Sequence, residues 1–209
     1  MTITRSFPTA AASLIAAALF VSPAMAQAQP PARIQVPPVP MNLEVEEGHS
    51  VFLWGHAIGT QNYICVLTKT GVMDWTFVGP GATLFLTFNG DPVRQNATHH
   101  FSYNPDEVNT LRPTWQHSTD SSRVWGGPAP KMSTDPNFVE AGAIAWLLIK
   151  AAGHEVGPTG GSILAQTTFI HRLNTSGGSR PATGCTQTGQ IGDLKFVPYI
   201  ADYYFYRQN

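Results

Sequence analysis

Three histidines crowd the middle of this chain: His99 and His100 are adjacent, and His117 follows. Imidazole is the commonest metal ligand, so two or three converging rings could hold copper or zinc. Adjacent residues of a strand point to opposite faces, so His99 and His100 cannot both ligate one ion from extended backbone. The chain has no His-x-His or His-Glu-x-x-His spacing and no His pair in its second half. The pattern therefore favours solvent-exposed loop histidines. No metal is assigned, and His100 and His117 are the residues a metal would use.

A second group lies in residues 163–174. Ile163, Ala165, Phe169 and Leu173 fall on one side of an alternating segment, with Gln166, Thr168, Arg172 and Asn174 on the other. A rigid sheet presenting Arg172 and amides beside Asp120 could hold a carboxylate or a sugar. The competing expectation is a solvated outer face on which Arg172 pairs with an acid. His171 falls on the apolar side. Aromatic residues form the third group. Most should be packed, with Trp115 and Trp125 the expected exposed exceptions, because they sit in a polar, turn-rich stretch. The candidate ligand-binding residues are thus His100, Trp115, Asp120, Arg172 and Asn174.

Catalytic patterns are absent from the sequence. There is no Gly-x-Ser-x-Gly elbow. The acid pairs Glu46-Glu47 and Asp106-Glu107 nominate no general acid and base. A nicotinamide site needs a Gly-rich strand-to-helix turn, and Gly126-Gly127, Gly160-Gly161 and Gly177-Gly178 lack that spacing. NAD-dependent dehydrogenation is therefore not expected, and no cofactor is predicted.

The elements that must position these residues read as strands. Only 12% of the 209 residues are charged, and 19 Gly and 17 Pro suit strands and turns. Met73, Trp75 and Phe77 alternate with Asp74 and Thr76; Gly79-Pro80-Gly81 should stop that strand before residues 82–88 begin another. Asn89-Gly90-Asp91-Pro92 is turn chemistry. Residues 51–58 and 62–67 read as paired strands, and 196–207 as an aromatic one. Residues 141–152 suit a helix face or a buried strand; the flanking Gly142 and Gly153 favour the strand.

The N-terminus carries an export pattern: Arg5, an apolar run at residues 10–21, and Ala24-Met25-Ala26 for cleavage near Ala26. Five prolines make 27–40 a tether or edge lead-in to one domain at 41–209. A periplasmic or secreted location follows, and there the two cysteines, Cys65 and Cys185, should form a disulfide. A formal net charge of −1 gives no pull toward nucleic acid. Past the leader no apolar run is long enough to span a bilayer.

Ordered blocks carry a resemblance: YIC at 63–65, WTFVGPGATLF at 75–85, PTW at 113–115, AWLLIKA at 145–151, RLNTSGG at 172–178 with Cys185, and VPYIADYYFY at 197–206. Together they resemble the secreted domain of unknown function 3455 family of bacteria and fungi, from about Gly59 to Tyr206. The resemblance implies an extracytoplasmic, mostly β domain and no particular activity, although some fungal members carry a malate dehydrogenase-like label. Asp120-Ser121-Ser122 stands where the family pattern has Asp-Gly-Ser, and the stretch 100–112 is long for the family.

The expected protein is an all-β sandwich or jelly roll with one long-range disulfide. Its expected role is a non-catalytic binding or envelope-associated module for a small polar molecule or an extracellular polymer. The alternative is an extracytoplasmic enzyme, metal-assisted through His100, His117 and Asp120.

Overall fold

The computed structural model describes residues 1–2 and 33–209, so the expected leader falls almost wholly outside the described residues. Nine strands follow in chain order: β1 (His49–Leu67), β2 (Met73–Phe88), β3 (Asp91–Tyr103), β4 (Leu111–His117), β5 (Arg123–Gly126), β6 (Lys131–Ser133), β7 (Trp146–Glu155), β8 (Phe169–Gly177) and β9 (Leu194–Gln208). They form one antiparallel sheet in the order β5-β4-β3-β2-β1-β9-β8-β7-β6. A further pairing, Val124 opposite His154 and Trp125 opposite Gly153, joins β5 to β7 and closes the sheet on itself. β6 lies along the same edge of β7. The chain is therefore all-β, as its composition predicts, and its strands make a barrel. A small barrel has room for packed side chains or for one small ligand.

The turns follow their chemistry. Asn89 (φ 51°) and Gly90 (φ 87°) make a two-residue loop with both residues left-handed, the geometry that lets a hairpin keep its strand twist. Elsewhere glycine serves contact rather than turning. The segments 51–58 and 62–67 belong to one continuous strand, β1, and do not pair with each other. Gly59 does not break it, because a Cβ there would lie 2.2 Å from the Gly81 carbonyl oxygen; the residue permits close approach of β2. Gly79-Pro80-Gly81 likewise does not end β2. The register slips so that Asn62 faces Gly79 and Tyr63 faces Phe77, leaving Val78 as a bulge that carries the strand past Pro80. Residues 163–168 depart from the expected strand: Leu164–Gln166 is a 3₁₀ turn, and β8 starts only at Phe169.

Two apolar layers result. Inside the barrel pack Ala57, Leu84, Ala97, Trp115, Val124, Ile149, Ile170 and Phe205 among others, small residues on some strands facing large ones on others. On the outer side of β7, β8 and β9 lie Trp146, Leu148, Phe169, Leu173, Tyr204 and Tyr206. That layer is covered by Leu43, Val139 and the partly buried Ile34, Val36 and Val39 of the lead-in. The sequence of β9 anticipates this, since both its faces are aromatic. His171 shares the outer layer and is fully bonded: Nε2–H donates to the Leu43 carbonyl at 2.7 Å, and Nδ1 accepts from the Tyr206 hydroxyl at 2.9 Å.

The disulfide Cys65–Cys185 forms, spanning 120 residues, and packs with Tyr63 and Trp75. Closing a loop of that length stabilises by about 4–5 kcal/mol in chain-entropy models. No helix among the described residues is long and apolar enough to cross a membrane.

Candidate functional site

The inward faces of β3 and β4 build the first wall. On β3, Ala97, His99 and Phe101 alternate with Thr98, His100 and Ser102, so His99 enters the barrel and His100 takes the outer face opposite Thr114. His99 is buried at 4% exposure. Its Nδ1–H donates to the Thr114 carbonyl at 2.9 Å, which leaves Nε2 as an acceptor. Burial holds the ring neutral and pushes its pKa down to about 3, with the Arg172 charge acting in the same direction. The ring stacks on Trp115 of β4 at 4.2 Å and 8° between planes. Trp115 is wholly buried, its indole Nε1 has no partner, and Trp125 is 1% exposed with its own Nε1 donating to Ser102 Oγ. The expectation that these two tryptophans are exposed is thus reversed, and so is that of exposed histidines for His99 and His117. The polar residues around them satisfy turns and caps at the surface, while the indoles fill the sheet.

β8 and β9 supply the opposite wall. Arg172 sits on the side of β8 away from Phe169 and Leu173. That side is the barrel interior rather than solvent, because both faces of β8 are covered. Its Nε and Nη2 donate to the Ala145 carbonyl at 3.2 and 2.8 Å. Among the described residues no carboxylate lies within ion-pair distance of it. Its charge is felt by the neighbouring hydroxyls of Tyr63, Tyr199 and Tyr203. Burial raises the Tyr203 pKa and the guanidinium partly offsets the rise. The Tyr199 and Tyr203 hydroxyls stand 3.4 Å apart.

Between these walls lies a cavity of about 140 Å³. Its polar lining comes from Gln61, His99, Trp115, Arg172 and Tyr203. Gln61 is 3% exposed and its amide Nε2 has no partner. Apolar residues complete it: Leu147 and Ile149 within, and Phe77, Phe101, Pro113 and Pro130 toward the mouth. Phe77 and Phe101 meet edge-on, with ring centres 5.6 Å apart.

Of the sequence candidates, Trp115 and Arg172 come together here. His100 lies behind the wall. Asn174 is on the outer surface, donating to Asp202 Oδ2 at 2.8 Å, and Asp202 also bonds His56. Asp120 stands with His117 farther along the barrel. One of its oxygens receives the His117 ring, the Ser122 amide and the Ser122 hydroxyl at 3.0, 3.0 and 2.7 Å; the other receives the Ile163 amide at 2.9 Å. Burial alone would raise its pKa, but these donors outweigh it and hold the carboxyl at about 2. The Ser122 hydroxyl is also taken, since it accepts from the Leu164 amide at 2.9 Å. Serine therefore bonds the carboxylate directly and not through the histidine, which is the wrong order for nucleophile activation. No group of three potential metal ligands occurs among the described residues.

His99, which the sequence suggests only as a metal ligand, and Gln61 and Tyr203 are absent from the ligand-binding residues expected from sequence. The signal for His99 is present in ATHHFSY, where the apolar alternation of Ala97 and Phe101 places it inside. Gln61 follows Ala57 and Gly59 and precedes Tyr63 and Cys65 on one face of β1 in the same way.

A family model described as Protein of unknown function (DUF3455) matches residues 46–207. The chain belongs to this family. Every cavity-lining residue lies within the matched span. No curated protein and no solved structure matches the chain.

Proposed function

We propose that this member of the family is an exported, non-catalytic module that binds a small molecule inside its barrel. The observation that carries the reading is the state of the cavity's polar groups. Buried polar groups are normally hydrogen-bonded, and an interior cation is normally paired. Here the Trp115 Nε1 and the Gln61 Nε2 have no partner, and Arg172 has no carboxylate. An apolar concavity with a few converging unsatisfied polar groups is the usual form of a ligand site. The leader pattern and the disulfide support export. Polar groups set for nucleophilic or metal chemistry do not meet in the cavity, which favours binding over the metal-assisted alternative.

Ligand-observed NMR with a set of single-ring fragments tests the proposal. Fragments should bind and shift one indole N–H signal in the amide spectrum, assigned to Trp115 by its loss in Trp115→Phe. Binding that leaves that signal unmoved, or no binding across the set, would overturn it.

A further inference from the structure

We infer that the cavity takes a flat, single-ring compound bearing one carboxylate, an aromatic monocarboxylate. This deepens the proposed binding role and rests on it. Size sets the first limit. An enclosed apolar cavity of roughly 150 Å³ holds one benzene; this one measures about 140 Å³ and is open at its mouth, so it takes one ring with a small head group and not two rings. Shape sets the second. One wall is the stacked pair of His99 and Trp115, flat to within 8°, and Phe77 and Phe101 close the mouth edge-on. A planar ring can lie in such a slot with face and edge contacts satisfied together.

Charge and hydrogen bonding set the third limit. Arg172 is the one cationic side chain among the lining residues. Its bonds to the Ala145 carbonyl use Nε and Nη2 and the guanidinium also lies beside the Tyr203 hydroxyl, so the donors still open to an incoming group point toward that tyrosine's side of the cavity. The partnerless groups lining the cavity, Gln61 Nε2 and Trp115 Nε1, are also donors. Set against these donors and one positive charge stands a single open acceptor, His99 Nε2, and that balance calls for a singly negative head rich in acceptors. A carboxylate fits that description, and an arginine can meet it with charge-assisted bonds. His99 adds no competing positive charge, because its ring is buried and neutral and its N–H is committed to Thr114. A second carboxylate would find no second cation among the lining residues.

The test is calorimetry on the full chain at neutral pH, with benzoate, benzamide and phthalate as probes. Benzoate should bind, benzamide at least tenfold more weakly, and phthalate, with its second charge, more weakly than benzoate. Arg172→Met should weaken benzoate at least tenfold while changing benzamide less than threefold. Benzamide binding as tightly as benzoate to the wild-type chain would overturn the carboxylate assignment while leaving the barrel-binding role standing. Failure of all three probes, with other single-ring fragments still shifting the Trp115 indole signal, would overturn the assignment alone. Failure of every fragment would remove both. The wild-type comparison decides the matter even if the arginine variant does not fold.

Discussion

Two polar clusters share the interior of this barrel, two residues apart on β4, and they are built on opposite plans. Around His117 the bonds close on one carboxylate: Asp120 takes four, and Ser122 both gives and receives. Around Trp115 the demand is left open, with a guanidinium that has a carbonyl but no carboxylate beside it and two orphaned N–H groups. The first cluster ties the turn between β4 and β5 to the 3₁₀ turn at Leu164, which plugs that end of the barrel with a fully buried leucine. A closed network of this kind specifies structure; an open one waits for a partner. Titratable residues in a barrel are therefore not equivalent evidence for function. What separates them is whether their bonds are already spent.

The comparison breaks most sharply at Asp120. Asp120→Ala removes the acceptor for four donors, two of them backbone amides, and leaves them unsatisfied in a mostly buried site. The expected loss is about 3–4 kcal/mol, from the penalty of orphaned buried donors, which lowers Tm by roughly 10 °C for a domain of this size. Asp120→Asn keeps one carbonyl oxygen and should lose about half as much. Chemical denaturation of the two variants beside the wild type measures this. A loss below about 1 kcal/mol for the alanine would show that the cluster is not the clamp described.

Acid sharpens the same contrast, because the two clusters fail at different pH. His99 has a folded-state pKa depressed to about 3, far below the ordinary 6.5. Below pH 6.5 the unfolded chain takes up a proton that the folded chain refuses, so stability falls as pH drops from 6.5 toward 3, by up to about 1.4 kcal/mol per pH unit. His171 is shifted in the same direction by burial and adds to the slope. His56, raised by its bond to Asp202, works oppositely: its contribution is full below 6.5 and is lost as pH rises through its folded value. Asp120, lowered from 3.8 to about 2, contributes in full above 3.8 and loses that contribution as the pH falls from there through about 2. His99→Phe preserves a flat ring against Trp115 and should remove about half of the slope between pH 6 and 4. Denaturation midpoints across that range, unchanged in slope by the variant, would contradict the burial of a neutral His99.

Much of this was legible in the sequence, and the reason for each success or failure is local. The strand class, the Asn89-Gly90 turn, the two-faced aromatic β9 and the Cys65–Cys185 bridge follow from periodicity, turn chemistry and cysteine count. Gly79-Pro80-Gly81 reads as a stop and is not one, because glycine ends strands in some settings and lets strands touch in others, and nothing short of the partner strand tells which. Arg172 is a candidate by its type, but the face expected for it is the wrong kind. Period-two alternation says which residues share a side, but not whether that side meets water or the inside of a closed sheet. Trp115 is expected at a ligand because it is expected to be exposed; it lines the cavity while fully buried, on the inward face of β4 in a closed sheet.

The smallest effect is expected in the clamp itself, at Ser121. Ser121 has φ +59°, the left-handed region that a residue with a Cβ occupies at a cost of roughly 1–2 kcal/mol. Its amide is bonded to the His117 carbonyl at 3.0 Å, so the conformation is fixed by the turn and not by the serine side chain. Ser121→Gly relieves the steric cost but gives the unfolded chain more freedom to lose, a penalty of roughly 0.5–1 kcal/mol. The difference should be a net gain of about 0.5 kcal/mol, seen as a rise in Tm of roughly 1–2 °C, with no change in fragment binding at the cavity. Ser121→Ala keeps the cost and loses the hydroxyl, so it should not stabilise. A glycine variant less stable than the wild type would mean that the serine hydroxyl holds the turn, and the clamp would then rest on more than the Asp120 carboxylate.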